Sequence, residues 1–302
     1  MNQPQKRAYT RLTAFLAGLA MIALVGFGLG RLLDVSAPAG EEDATAMEAM
    51  HGEAERSAEH GGAHGSGEVH PVRGLGVAEN GFRLVVADPD IARGARERLR
   101  FQIVGDDGGT VTDFDLTHTK RMHVIVVRRD LTGFQHLHPE MAADGTWSVP
   151  LRLGAAGTYR VFADFLVDGE ATTLAEDLRV DGDADLRDLP AAAIQALSEP
   201  GGYAVDLRAG DPHAGEEASL RFAISREGQP ASLQPYLGAG GHLVALRAGD
   251  LAFLHVHPSG DAGEDGSIEF GATFPSAGKY RLFLQFVVDG ELQTVAFTEE
   301  VH

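Results

Sequence analysis

Residues 120–170 and 239–291 are written in nearly the same pattern, and this duplication constrains the fold more than any other feature. Phe-Gln-His-Leu-His-Pro at 134–139 returns as Phe-Leu-His-Val-His-Pro at 253–258, 119 positions on. Phe82 to Val104 aligns without a gap with Tyr203 to Ser225, sharing Leu99-Arg100-Phe101 with Leu220-Arg221-Phe222. The run 157–170, GTYRVFADFLVDGE, returns at 278–291 as GKYRLFLQFVVDGE. A period near 120 residues is far too long for a solenoid and fits two similar domains in tandem, each able to bury its own core.

Within each copy the apolar period is two. Leu99, Phe101 and Ile103 alternate with polar residues, as do Trp147, Val149, Leu151 and Leu153, which is the signature of half-buried strands. Asp168-Gly169 and Asp289-Gly290 separate β-rich runs, and Asp-Gly is a preferred pair for a type I′ hairpin turn. Roughly seven short strands per 100 residues predict an all-β chain of two immunoglobulin-like β-sandwich domains. They span 71–182 and 201–302, with a double cupin-like barrel as the alternative. Residues 183–200 read as the linker, with a short helix around 190–197.

Residues 12–30 carry no charge, about the length of a helix that spans a bilayer, and Lys6, Arg7 and Arg11 precede them. The reading is a cytoplasmic N-terminus at 1–11, a single transmembrane signal anchor at 12–33, and the rest outside. Cleavage after Ala39, in Ala37-Pro38-Ala39, is the alternative and gives a secreted protein. Residues 34–70 have almost no large apolar side chain and read as a disordered tether. Met47, Met50, His51, His60, His64 and His70 stud it, as a metal-collecting segment or as incidental residues.

In a strand, residues two apart share a face, so His136 and His138 present two imidazoles together, as do His255 and His257. His123 and His242 stand thirteen residues before the first of each pair. A hairpin through 130–133 brings those strands alongside, and three imidazoles suit copper, zinc, nickel or iron. If Asp130 pairs with Phe134, however, His138 lies opposite Val126 and His123 faces the other side of the sheet. Met122 and Met141 flank the first set, and thioether plus imidazole favours Cu(I). The reading is therefore one metal site per repeat, with copper ahead of zinc. The first is His136, His138 and His123 with Met122 or Met141, and the second is His255, His257 and His242. The bland alternative is that duplicated strands share exposed histidines because they share descent.

The chain has no cysteine, which excludes disulfides, thiolate zinc sites, iron–sulfur clusters and blue copper. The net charge is −19, a surface that repels phosphate backbones and makes nucleic acid a poor partner while concentrating cations. No Gly-x-Ser-x-Gly, phosphate-binding loop or His-Glu-x-x-His is present. Glu140 follows His138 by two, which fits a cupin site poorly. Binding rather than catalysis is expected.

Residues 120–165, with Met122-His123, Phe134, His136-Leu137-His138-Pro139, Asp144-Gly145 and Gly157-Thr158-Tyr159, resemble exported bacterial proteins with YtkA-like or FixH-like immunoglobulin-type domains. The resemblance covers the first repeat well and the second more loosely. It implies a β-sandwich of the cell envelope with a link to copper handling. The expected function is a membrane-tethered extracytoplasmic metal-binding protein for copper capture or delivery. The alternative is a tandem immunoglobulin-like module that binds an envelope protein and has no metal role.

Overall fold

The computed structural model describes residues 72–302 other than His255, and for His257 the backbone alone. The anchor at 12–33 and the studded tether at 34–70 lie outside the described residues. Among the described residues every regular element is a strand, and no helix is long and apolar enough to cross a membrane.

The first domain contains β1 (Ala78–Glu79), β2 (Phe82–Val86), β3 (Glu97–Gly105), β4 (His123–Arg128), β5 (Gln135–Leu137), β6 (Glu140–Met141), β7 (Trp147–Leu151), β8 (Gly157–Val167) and β9 (Glu170–Val180). They form two antiparallel sheets, β1-β2-β3-β7-β6 and β5-β4-β8-β9. The second domain contains β10 (Gln195–Leu197), β11 (Ala204–Arg208), β12 (Glu217–Arg226), β13 (Gln229–Pro230), β14 (Leu233–Gln234), β15 (His242–Arg247), β16 (Phe253–Leu254), β17 (His257–Pro258), β18 (Ser267–Thr273), β19 (Gly278–Val288) and β20 (Glu291–Val301). Its sheets run β10-β11-β12-β18-β17 and β14-β19-β15-β16, with β13 on β12 and β20 on β19. The described residues are thus all-β, two immunoglobulin-like sandwiches in tandem. The Asp168-Gly169 and Asp289-Gly290 turns both have positive φ at their two central residues, as a type I′ turn requires.

Each sandwich is filled by alternate residues of its two sheets. In the first, Leu99, Phe101 and Ile103 meet Val124, Val126, Val161 and Ala163, with Phe114 set edge-on to Trp147 and Phe165. The second packs Phe222, Phe270, Leu282, Leu284, Phe286 and Phe297 in the same way.

A third apolar cluster lies between the domains. Ile125, Val127, Phe162 and Ala175 of the first domain pack on Val244, Leu246, Phe253 and Phe283 of the second. Strand β4 is therefore buried along its whole length, with Val124 and Val126 turned into their own sandwich and Ile125 and Val127 turned toward the neighbour. Phe134 stacks on Phe283 at 4.1 Å, and Phe162 meets Phe253 at 5.7 Å. Residues 73–75 run along this junction. The Phe253 amide donates to the Arg73 carbonyl, and Arg160 donates to the carbonyls of Gly74 and Leu75. Gly74 sits at φ +69 with Phe162 and Phe253 so close that a Cβ would meet them at 2.8–2.9 Å, so only glycine fits.

Two expectations need correction. The helix around 190–197 does not form; residues 195–197 are β10, paired with β11. An isolated eight-residue helix lacks the length to be stable by itself, whereas an edge strand gains a ready-made ladder. The second correction concerns the register of the β4–β5 hairpin. Val126 pairs with Gln135, Ile125 with His136 and Val124 with Leu137. The next position of that register sets His123 opposite His138. The shift from an Asp130–Phe134 pairing is three residues, an odd number, so His123 shares a face with the His-x-His pair. The loop explains it. The Arg128 amide donates to the Thr132 carbonyl, and Leu131 and Gly133 adopt positive φ. The Asp130 carboxylate accepts from the Thr132 amide, the Thr132 hydroxyl and the Arg128 guanidinium.

Candidate metal centre

The His-x-His-Pro stretch is where each chain segment leaves one sheet for the other. Residues 135–137 pair with β4, whereas 140–141 pair with β7. In the second copy 253–254 pair with β15 and 257–258 with β18. Proline suits such a corner because it has no amide hydrogen to leave unpaired.

The face that β4 turns toward the second domain carries His123, and β15 turns His242 back toward the first. His123, His136 and His242 each offer a ring nitrogen, and the three lie within 4.8 Å of one another. His242 stacks on His136 at 4.7 Å and on His123 at 5.7 Å. His138 adds a fourth ring, 4.7 Å from His136 and 5.1 Å from His123. Its Nε2 is buried with no hydrogen-bond partner. His118 lies 5.7 Å from His242 and 6.0 Å from His123. It is presented by a turn at 117–120 in which His118 and Thr119 both have positive φ. Such turns normally use glycine or asparagine, and the corresponding turn of the second repeat has Gly238. Leu237 of that turn also has positive φ, so the conformation belongs to the repeat, and in the first copy it places an imidazole beside the cluster.

Burial favours the neutral form of four of these rings. Burial pushes His136 down to about 3, with the neighbouring histidines adding to the effect. Burial likewise takes His138 to about 4 and lowers His123. It carries His242 well below its ordinary value.

The hydrogen bonds show how two of the rings are oriented. His123 Nε2 lies 3.0 Å from the Thr117 carbonyl oxygen, so it carries the hydrogen. His123 Nδ1, left as an acceptor, faces His136 Nε2 at 3.0 Å. His136 Nδ1 in turn faces the Gln285 Oε1 at 2.6 Å. A neutral His136 has one hydrogen and cannot donate to both His123 and Gln285. Without an ion, the Gln285 amide must therefore rotate to offer its NH2. With an ion between His123 Nδ1 and His136 Nε2 the conflict disappears. Each ring then donates its outer N–H to a carbonyl oxygen, Thr117 or Gln285, the usual support of a metal-bound histidine.

The structure distributes the remaining candidates differently from the expectation of one site per repeat. His242 joins His123 and His136 in one cluster. His257 belongs through its backbone to β17, in the outer sheet of the second domain, and His255 lies outside the described residues. The methionines are corrected out of the donor set. Met122 is buried in the first sandwich with Val124 and Val126, on the side of β4 opposite His123. Met141 packs on the same core from β6, opposite Trp147. Alternation along a strand sends neighbours to opposite faces, so adjacency in sequence to His123 excludes Met122 from its site. Gln285 and Asp164, missed as site residues, stand directly opposite His242 and His123 on β19 and β8.

Residues 77–182 and 198–302 each match the family described as a domain of unknown function, DUF8832. No curated protein matches the chain. Among solved structures it is similar to the Escherichia coli adhesin FdeC, at 15% identity over 74% of this chain and 65% of that one, TM-score 0.26. It is similar to Salmonella alpha-2-macroglobulin at 16% identity over 77% of this chain and 15% of that one, TM-score 0.27. A chimeric titin Z1Z2 tandem aligns at 14% identity over 72% of this chain and 95% of that one, TM-score 0.20. The chain thus spans less than two thirds of the first two. By its two matched segments, which cover more than half of it, the chain belongs to the DUF8832 family.

Proposed function

We propose that this DUF8832 protein binds a transition-metal ion between its two domains and serves to capture or deliver that ion in the cell envelope. The observation that supports this most directly is the chain Thr117–His123–His136–Gln285, whose outer partners present carbonyl oxygens and whose inner ring nitrogens face each other. His242 completes three nitrogen donors, and His138 and His118 stand next to them. Copper and zinc are the ions that such imidazole sets take most readily. The role is binding, not catalysis. The proposal includes the single-pass anchor at 12–33 with the domains outside, and the kinship with YtkA-like and FixH-like exported proteins.

The test is a titration of the full chain with Cu(II), Zn(II) and Cu(I), beside a His123→Gln, His136→Gln, His242→Gln variant that keeps the tether histidines as common background. The wild type is expected to bind one more equivalent than the variant, at sub-micromolar affinity. An ion at 100-fold its Kd should raise stability by about 2.7 kcal/mol. Equal stoichiometry and equal stabilisation would sink the proposal.

One observation favours the second reading, an envelope interaction module. Ile194 and Leu197 are 74% and 65% exposed at β10, the end strand of its sheet, and an apolar sheet edge is a ready surface for an added strand. Under that reading the triple glutamine variant responds to metal as the wild type does.

A further inference from the structure

We infer that Asp164 is the anionic member of the metal site and that it makes the site select divalent ions over Cu(I). The inference rests on the metal-binding reading above. Asp164 stands opposite His123 across the β4–β8 ladder and is 7% exposed. With His118, His123 and His242 it lines a small cavity of about 10 Å³, room for one water-sized particle or one ion. Its Oδ1 accepts a hydrogen bond from the Thr173 hydroxyl at 2.6 Å. Lys120, whose charge is felt at His123 and His138, makes no ion pair with it. Among the described residues no arginine or lysine does.

A buried carboxylate is kept when it is paired with a cation or coordinates one. Around it stand the imidazoles of His118, His123 and His242, so an ion in the cavity would lie between a carboxylate and nitrogen donors. The second repeat puts neutral Gln285 at the matching position and uses it to accept from His136. The site therefore has one carboxylate, on one side. With both methionines turned into the sandwich core, the donors are nitrogen and oxygen. That set suits Zn(II) and Cu(II), whereas Cu(I) prefers sulfur.

The test is Asp164→Asn in the full chain, with Zn(II) and Cu(I) affinities measured by competition against chelators of known strength. Asparagine preserves the size of the side chain and an oxygen for Thr173. Zn(II) affinity is expected to fall 10–100-fold, Cu(I) affinity to change less than about threefold, and the metal-free melting temperature to stay level or rise. Unchanged Zn(II) affinity, or an equal fall for both ions, would overturn the inference. If the variant does not fold, the wild type still decides. Zn(II) loading should shift a carboxylate stretch in the infrared difference spectrum, and no shift refutes the role of Asp164. A wild type that binds no ion at this site would instead refute the metal-binding reading itself.

Discussion

Four clustered imidazoles, His123 buried and His136, His138 and His242 half-buried, have lowered pKa values that make the metal-free protein sensitive to mild acid, and the size of the effect follows from the site. A histidine whose folded-state pKa lies below its unfolded value binds fewer protons folded than unfolded. Its full stability is present above about pH 6.5 and is lost as pH falls toward the folded pKa. For His136 the folded value is about 3. At pH 5 the gap of about 1.5 units from the unfolded value is worth about 2 kcal/mol. His138, with a folded value of about 4 and more exposure, adds about 1 kcal/mol after roughly halving for solvent screening. His123 and His242 act in the same direction. Glu299, raised by burial, opposes them weakly. A loss of at least about 3 kcal/mol by pH 5 is a large part of an ordinary folding free energy.

The assay is urea denaturation of chelator-treated full chain between pH 7.5 and 5.0, for the wild type and for His136→Gln. With a denaturant slope of about 2–3 kcal/mol/M, the wild-type midpoint should fall by roughly 1 M. In His136→Gln the fall should be smaller by the roughly 2 kcal/mol that this ring contributes. A wild-type midpoint that stays level over this range would refute the reasoning, because it would mean the rings are hydrated or already protonated in the folded state.

The same neutrality predicts that an ion entering at pH 7 displaces almost no protons. Calorimetry in two buffers of different ionisation enthalpy should give fewer than about 0.2 protons per ion, against about 0.7 for three unperturbed histidines. Phe283→Ala removes the 4.1 Å stack on Phe134 without touching a donor. It should weaken Zn(II) binding, because the site exists only while the domains are docked; unchanged affinity would show that docking and binding are independent. Met122→Leu should leave both Zn(II) and Cu(I) affinities unchanged and cost less than about 1.5 kcal/mol of stability, as a volume-conserving core exchange does. A selective loss of Cu(I) binding would return Met122 to the donor set.

The sandwich architecture was legible because period-two alternation and Asp-Gly turns are local signals. The duplication was legible because it is written in order. The placement of His123 was not, since the hairpin register depends on one loop. Asp130 gathers Thr132 and Arg128 there, and the three-residue shift of register reverses the parity. The meeting of His242 with His136 was hidden for a different reason: it is a contact between domains, with the partners 106 positions apart. A signal for it did exist. His123-Val-Ile-Val-Val and His242-Leu-Val-Ala-Leu are continuous apolar runs amid alternating strands, and a strand apolar on both faces has to be covered on both. The helix expected near 190–197 failed because composition favours alanine-rich helices, whereas pairing with β11 decides the matter in three dimensions.

The domain interface is built from equivalent residues that exchange roles. Phe134 meets Phe283 and Phe253 meets Phe162, and in the repeat Phe134 corresponds to Phe253 and Phe162 to Phe283. His123 and His242, also equivalent, stack at 5.7 Å and 8°. This is the self-complementary arrangement of a two-fold dimer, made within one chain. Joining the halves covalently holds them at high effective concentration. It also frees the two copies to differ, which a true dimer cannot do. Two differences fall at the site, Asp164 against Gln285 and His118 against Leu237, and a third, Met122 against Gly241, lies behind it in the core. Gly241 leaves no room for a larger residue, since a Cβ there would meet the Gln285 carbonyl and Ile268 at 2.8 Å. Met122 fills the corresponding place in the first core. A symmetric pair of sites would place two carboxylates or none between the sheets. The tandem chain places one, beside His123 on one side only, with Gln285 opposite His242 on the other.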